Sequence, residues 1–384
     1  MKKICILTGT RAEYGLLKPL LDALRRSREF KTDLIVTGSH LSPEFGLTWK
    51  EIQKDRIPIS EKIDILLSSD SASGTVKSMG LALLGLADAY ARLKPHLVIL
   101  LGDRYETFCA AAAALPLRIP VAHLHGGEVT EGAIDDAFRH AITKLSLLHF
   151  CSCTSYRRRI IQLGEDPRRV FVTGAIGLDN IRNLKLLTKP EFEKQTGFIF
   201  KKKNFLVTFH PATLENASAG KQFAALLAVL EKQKECGIII TMANADAGGR
   251  QINSLAVNFI KKYPHHAKVF TSLGRQRYLS ALKMVDAVIG NSSSGIIEAP
   301  SFKTATINIG DRQRGRIMAE SIISCRPFAA DISRALDRLY SSEFQAKLKK
   351  TRNPYGNGRA AQKIISILQA IKFPPDTRKK FFNL

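Results

Sequence analysis

Short apolar runs of strand length alternate with longer segments of helical period along the whole chain, and that alternation admits few folds. A strand that returns parallel to its neighbour needs a crossover of a dozen residues or more, which a helix supplies. The pattern therefore predicts parallel sheets assembled from βαβ units. In the first half the runs cover 3–8, 33–37, 96–101, 120–124, 149–152 and 170–173. After a charged, structure-poor stretch over 183–203 the series restarts at 204–209, 237–242, 268–272, 286–290 and 304–309. The clearest helix covers 13–28, where Leu16, Leu17, Leu20, Leu21 and Leu24 form one apolar stripe.

Two series of runs in 384 residues suggest two domains with real cores. The expected division is a first Rossmann-like domain over 1–185 and a second over 204–358, with the segment 359–384 packing back on the first. Open sheets of this kind bind ligands beyond the carboxyl ends of their strands, so two doubly wound domains are expected to face a central crevice.

Charge bears on the partner. The 58 Lys and Arg outnumber the 34 Asp and Glu by 24, yet 45% of the chain is apolar, which excludes disorder. The densest basic clusters, Arg157–Arg159, Lys201–Lys203 and Arg378–Lys380, are not interleaved with the aromatic residues a base-stacking platform needs. They read as solvated surface, and neither nucleic acid nor membrane is expected as a partner. Six cysteines are too sparse for a disulfide scaffold. The apolar run after Met-Lys-Lys extends only from Ile4 to Leu7, too short for a signal or a span, so a cytoplasmic protein is expected.

The strand ends carry the chemistry. Thr8-Gly9-Thr10-Arg11 precedes the first helix and brings backbone amides and a guanidinium together, as a phosphate site or as a turn with a surface arginine. Gly102-Asp103-Arg104 follows another run, with Asp103 read either as a helix N-cap or as a site carboxylate. His125-Gly126-Gly127-Glu128 and then Asp135-Asp136 with Arg139-His140 form the densest ionisable cluster, one able to move protons. A helix start dressed with acids accounts for Asp135 and Asp136 but leaves the Gly-Gly-Glu unexplained.

In the second half, Pro211 cannot continue a central strand and leaves His210 at the end of the first run. Asn244 follows the second run, and Gly290-Asn291-Ser292-Ser293 opens a hydroxyl-rich loop into a helix. Gly310 to Arg316 adds three guanidiniums. There is no G-x-G-x-x-G fingerprint, no G-x-S-x-G elbow, and no second ligand pair to accompany Cys151-x-Cys153, so no cofactor and no metal are expected.

Taken in order, Gly102-Asp103-Arg104, His123-x-His125-Gly126-Gly127-Glu128, Asp135-Asp136-x-x-Arg139-His140, His210-Pro211, Gly290-Asn291-Ser292-Ser293 and Gly310-x-Arg312-Gln313-x-Gly315-Arg316 resemble the hydrolysing UDP-N-acetylglucosamine 2-epimerases of sialic-acid biosynthesis, essentially end to end. The resemblance implies a GT-B-like α/β fold of two Rossmann-type domains, a homodimer, and conversion of UDP-N-acetylglucosamine and water to N-acetylmannosamine and UDP through a glycal. It implies acid and base roles among Asp103, Glu128 and Asp135, with His125 shaping the site or shuttling a proton and His210 near the pyrophosphate. Arg11, Ser292, Ser293 and Arg312 are implied to hold phosphates and Glu298 the ribose, with Arg104, Arg139 and Asn244 completing the substrate-binding set.

Where some members read His-x-Glu-Gly-Gly-Glu, this chain has His125 in place of the first Glu. The departure leaves open which group is the main base. It also points to relatives that act on UDP-2,4-diacetamido-2,4,6-trideoxyglucose. A non-hydrolysing epimerase and a glycosyltransferase of the same architecture are the neighbouring alternatives, and a nucleic-acid-binding protein is a distant one resting on charge alone.

Overall fold

The computed structural model describes residues 1–69, 71–131, 134–211, 219–243 and 249–384. The strands are β1 Lys2–Thr8, β2 Phe30–Thr37, β3 Glu61–Ile63, β4 Leu97–Leu101, β5 Val121–Leu124, β6 Leu148–Cys151 and β7 Val170–Val172 in a first sheet. A second sheet holds β8 Lys203–Thr208, β9 Cys236–Thr241, β10 Ala267–Phe270, β11 Ala287–Gly290, β12 Ala305–Ile309 and β13 Ile322–Cys325. The orders are β3-β2-β1-β4-β5-β6-β7 and β10-β9-β8-β11-β12-β13, with every pairing parallel. Strand order reverses between β1 and β4 and again between β8 and β11, the switch points at which such sheets bind ligands.

Two compact units contain these sheets: Met1–Glu128, Asp135–Asn180 and Tyr355–Leu384 form unit 1, and Val129–Ile134 with Ile181–Pro354 form unit 2. Burial on both faces explains why the strands read as continuous apolar runs. In β1, Ile4 and Ile6 pack with the Arg11–Arg26 and Ala360–Ala370 helices, while Cys5 and Leu7 point the other way, into the Ala72–Leu93 and Tyr105–Ala114 helices. In β8, Phe205 and Val207 join one core and Leu206 the other. The Ala360–Ala370 helix is fixed at its start by the Asp179 carboxylate, which accepts from the Ala360 and Ala361 N–H groups at 2.8 and 2.8 Å.

Three readings of the sequence are corrected. β3 and β13 add an edge strand to each sheet, and both are segments of three and four residues, too short to stand out as apolar runs. The stretch 183–203 is not structure-poor: it contains the Lys189–Thr196 helix, started by a capping box in which the Thr188 N–H donates to Glu191 Oε2 at 2.7 Å. Two of the basic clusters are tied into the fold in part, while Arg158, Arg378 and Lys380 stay exposed. Lys379 bonds the buried Glu165 and the Lys144 and Ser146 carbonyls, and Arg157 reaches the Val170 and Pro167 carbonyls. Among the described residues no helix is long and apolar enough to cross a membrane.

Candidate active site

The carboxyl ends of β4 and β5 in unit 1 gather charge around one buried guanidinium. Arg139 is almost wholly inaccessible (1% exposed) and bonds the Asp103 carboxylate, Asp136 Oδ1 at 3.0 Å and the Glu128 carbonyl at 3.1 Å. A cation taken out of water is tolerated only with such partners, so the three acceptors and the arginine fix one another. His123 supports the turn from below: its Nε2 donates to the Gly102 carbonyl at 2.7 Å and its Nδ1 meets Thr143 Oγ1 at 3.1 Å. Burial pushes His123 down to about 3, so it serves as a neutral spacer between β4 and the Asp135–Leu145 helix.

After β5 the chain turns through His125 (φ 64°) and Gly127 (φ 75°). Gly127 is required twice over, because a Cβ there would lie 2.5 Å from the Tyr156 carbonyl oxygen. The turn returns Glu128 beneath the strand end, buried, with its Oε1 2.8 Å from His125 Nδ1 and 3.1 Å from the Ser152 hydroxyl.

Beside β1, Thr10 caps the first helix and Glu13 Oε2 accepts the Gly9 N–H at 2.7 Å. Burial raises the Glu13 carboxyl to about 8. Arg11 and Arg104, expected to meet substrate, pair in this structure with Glu51 (2.9 Å) and with the buried Glu106 (3.2 Å). Arg104, not Asp103, occupies the N-cap of the Tyr105–Ala114 helix, which removes the capping explanation for Asp103.

Unit 2 builds its strand ends mostly from amides and hydroxyls. Gly290 (φ 140°) allows β11 to close against β8, where a Cβ would lie 2.0 Å from the Thr208 carbonyl oxygen. Asn291 then clamps His210: its Oδ1 accepts the His210 N–H and its Nδ2 donates to the His210 carbonyl, each at 2.7 Å. The Asn291 carbonyl in turn receives Arg312 Nη1 at 3.1 Å and Gln313 Nε2 at 2.9 Å. Ser292 caps the Ser293–Ile297 helix, Ser294 meets both Ser292 and the Tyr278 hydroxyl, and Glu298 follows, its carboxyl raised by burial to about 7. Asn244 lies outside the described residues.

Asp103, Glu128 and Arg139 are thus in one network, with Asp135 at the start of the helix that carries Arg139. Arg139 was expected to bind substrate; its burial and three protein acceptors make it the group that holds Asp103 in place. His210, Ser292 and Arg312 converge on Asn291 or its neighbour. Asn291, Gln313 and His123 carry no distinguishing sign within their motifs, because their side chains hold backbone, which no motif spacing reveals. Ser152 was not singled out at all, since a lone Ser after an apolar run carries no signal.

These features define a two-unit α/β protein of GT-B-like class with ionisable groups clustered at the strand ends of one sheet and amide and hydroxyl groups at those of the other. The model of the family described as UDP-N-acetylglucosamine 2-epimerase matches residues 22–369. A Campylobacter jejuni protein named GDP/UDP-N,N'-diacetylbacillosamine 2-epimerase (hydrolyzing) is 44% identical over 384 residues, covering 100% of this chain and 99% of that one. A Legionella pneumophila UDP-N,N'-diacetylbacillosamine 2-epimerase (hydrolyzing) is 36% identical, covering 97% and 96%. In fold, the chain superposes on the Neisseria meningitidis UDP-GlcNAc 2-epimerase bound to UDP-GlcNAc with a TM-score of 0.82, at 19% identity, over 96% of this chain and 100% of that one. The chain belongs to the UDP-N-acetylglucosamine 2-epimerase family, and its chemistry is that of a UDP-sugar 2-epimerase.

Proposed function

We propose that the chain hydrolyses a UDP-2-acetamido sugar with inversion at carbon 2, and that its sugar is UDP-2,4-diacetamido-2,4,6-trideoxyglucose. The substrate choice rests on the 44% identity to a relative with a diacetamido sugar in its name, together with His125 in the Gly-Gly-Glu turn. The reaction class rests on one observation: two carboxylate-bearing turns at adjacent strand ends, those of Asp103 and Glu128, joined by the single buried Arg139.

Removal of the carbon 2 proton and departure of UDP with the anomeric C–O electrons give a glycal. Water then adds its hydroxyl to carbon 1 and a proton enters carbon 2 from the opposite face, so the sum is UDP-sugar plus water to free 2-epimer plus UDP. The carbon 2 proton is weakly acidic, so departure of the pyrophosphate leads. Asp103, Glu128 and Asp135 divide the proton transfers, while Arg11, His210, Ser292, Ser293 and Arg312 stabilise charge developing on the leaving group. Glu298 takes the ribose.

Incubation with UDP-N-acetylglucosamine and with the diacetamido sugar in heavy water, followed by NMR of the products, tests this. Expected are UDP, a free 2-epimer carrying deuterium at carbon 2, and preference for the diacetamido substrate. Preference for UDP-N-acetylglucosamine overturns the sugar, and accumulation of a UDP-linked epimer overturns hydrolysis.

The active form is proposed to be a homodimer. Val76, Gly80, Leu83, Leu84, Ala87 and Ala91 lie exposed along one face of the Ala72–Leu93 helix, with no charge among them. Monomers seldom leave such a patch to water, and small residues at its centre let a second copy of the same face approach about a twofold axis. Leu84→Glu should shift the sedimenting species from dimer to monomer; an unchanged dimer places the interface elsewhere.

A further inference from the structure

Three successive strand ends of unit 1 converge on the Glu128 carboxyl, and the order of their hydrogen bonds determines where a proton sits. Glu128 itself follows β5, Ser152 follows β6, and Ile176 lies in the loop after β7. Glu128 Oε1 receives the Ser152 hydroxyl at 3.1 Å and lies 2.8 Å from His125 Nδ1, while His125 Nε2 lies 3.2 Å from the Ile176 backbone nitrogen.

A backbone N–H can only donate, so Nε2 must present its lone pair to Ile176. A neutral imidazole carries one proton, which then resides on Nδ1 and points at Glu128. Protonating Nε2 would set two N–H groups head to head. The amide that imposes this choice is itself held: the Ala175 N–H donates to the Tyr355 carbonyl at 2.8 Å, and the Tyr355 hydroxyl meets that of Tyr156 at 3.0 Å in the buried interior.

From this arrangement we infer that His125 is a neutral positioning residue rather than the base at carbon 2, and that Ser152 is a second positioning residue. Together they hold Glu128 as an oriented, ionised proton acceptor. The inference rests on the 2-epimerase reading given above. Both donors match an ionised carboxylate, which only accepts, and the lone pair a base would need at His125 is already committed to the Ile176 amide. The left-handed backbone at His125 is one that His and Asn tolerate better than most residues.

Nitrogen-15 spectra of the histidine side chains in the full-length protein read the tautomer without any turnover, with the His125 signal assigned by its loss in His125→Asn. The neutral Nδ1–H form is expected at about pH 7.5; an Nε2–H tautomer or an imidazolium overturns the inference. In the kinetic arm, His125→Asn keeps an N–H donor near the Nδ1 position and should retain turnover within about tenfold, whereas His125→Leu should lose about a hundredfold. Ser152→Ala should lower kcat about tenfold at unchanged KM, with recovery in Ser152→Thr.

Loss of deuterium incorporation at carbon 2 in His125→Asn as complete as in His125→Leu makes the imidazole the base. An unchanged kcat in Ser152→Ala removes Ser152 from the network. If the wild-type protein turns over no UDP-2-acetamido sugar, the functional reading fails, and the spectrum still decides the tautomer.

Discussion

The strand ends of the two units share a topology and differ in what they bury. Unit 1 places carboxylates, an arginine and histidines within hydrogen-bond reach of one another, while unit 2 surrounds Asn291 with amides and hydroxyls and keeps Arg312 on its backbone carbonyl. Carboxylates packed against ionisable neighbours have pKa values that respond to those neighbours, which suits groups that gain and lose protons during a reaction. Amides, hydroxyls and a guanidinium that keep their charge state throughout suit holding an anion whose charge grows at the moment of bond breaking. On the function proposed above, proton transfer falls to one sheet and the leaving group to the other.

The sharpest way to break that division is to remove charge from unit 1. Asp103→Asn and Glu128→Gln should each lower turnover by about 10²–10⁴ while UDP still binds, as measured by steady-state kinetics and calorimetry. Arg139→Met should in addition destabilise the fold by roughly 1–3 kcal/mol in urea unfolding, because it removes a buried donor to the Glu128 carbonyl and the cation between the partly exposed Asp103 and Asp136. A variant that keeps both turnover and stability would reduce the cluster to a surface ion pair.

In unit 2 the expected loss is smaller and of a different kind. Truncating Arg312 or His210 should cost about 10² in kcat with a lesser effect on KM, since these groups are assigned to charge that develops only as UDP departs. Asn291→Ala should resemble the His210 variant, because the Asn291 side chain holds both backbone groups of His210. A raised KM at constant kcat would make them ground-state binders and blur the comparison.

How far the sequence carries this picture differs between the same two regions. The paired parallel sheets follow from the apolar alternation, and the carboxylates Asp103 and Glu128 stand out because charge in the turn after a buried strand needs a reason. Groups that act by holding backbone were invisible as such: Asn291, Gln313 and His123 are polar residues whose bonds depend on strands that meet only in three dimensions. Arg139 was visible as charge but not as buried charge, since periodicity gives a helix face without saying that three acceptors wait there. The helix over Lys189–Thr196 does have a sign in the sequence, for Thr188-x-x-Glu191 is a capping signal in its own right, outweighed by the charge around it.

A subtler contrast concerns Glu13 in unit 1. Its folded pKa of about 8 exceeds the ordinary 4.5, so the folded state holds this proton more tightly than the unfolded chain does. The stability it contributes is complete below the unfolded value and drains away as pH rises through 8. Glu13→Gln, which keeps an acceptor for the Gly9 N–H, should therefore match the wild type near about pH 5 and exceed it by up to a few kcal/mol near about pH 9 in urea unfolding. Parallel pH profiles for the two proteins would show that the carboxyl is not protonated in the fold.

Glu298 in unit 2 provides the smallest and most discriminating effect. Burial raises its carboxyl to about 7, so its own contribution to stability also falls as pH rises through neutrality. For ligand binding the sign reverses if the carboxylate accepts ribose hydroxyls, because hydrogen bonds to the ionised form are worth about 1.5–3 kcal/mol against roughly 1 for the neutral one. Affinity for UDP should then gain an extra severalfold between about pH 6 and about pH 8 in the wild type relative to Glu298→Gln. The phosphate of UDP titrates in the same window, but it does so equally for both proteins, and the difference between their slopes isolates the side chain. Equal slopes would detach Glu298 from the ribose and leave the nucleotide to the other groups proposed to hold it. That outcome would sharpen the contrast with unit 1, since no titrating carboxyl would then serve the leaving group.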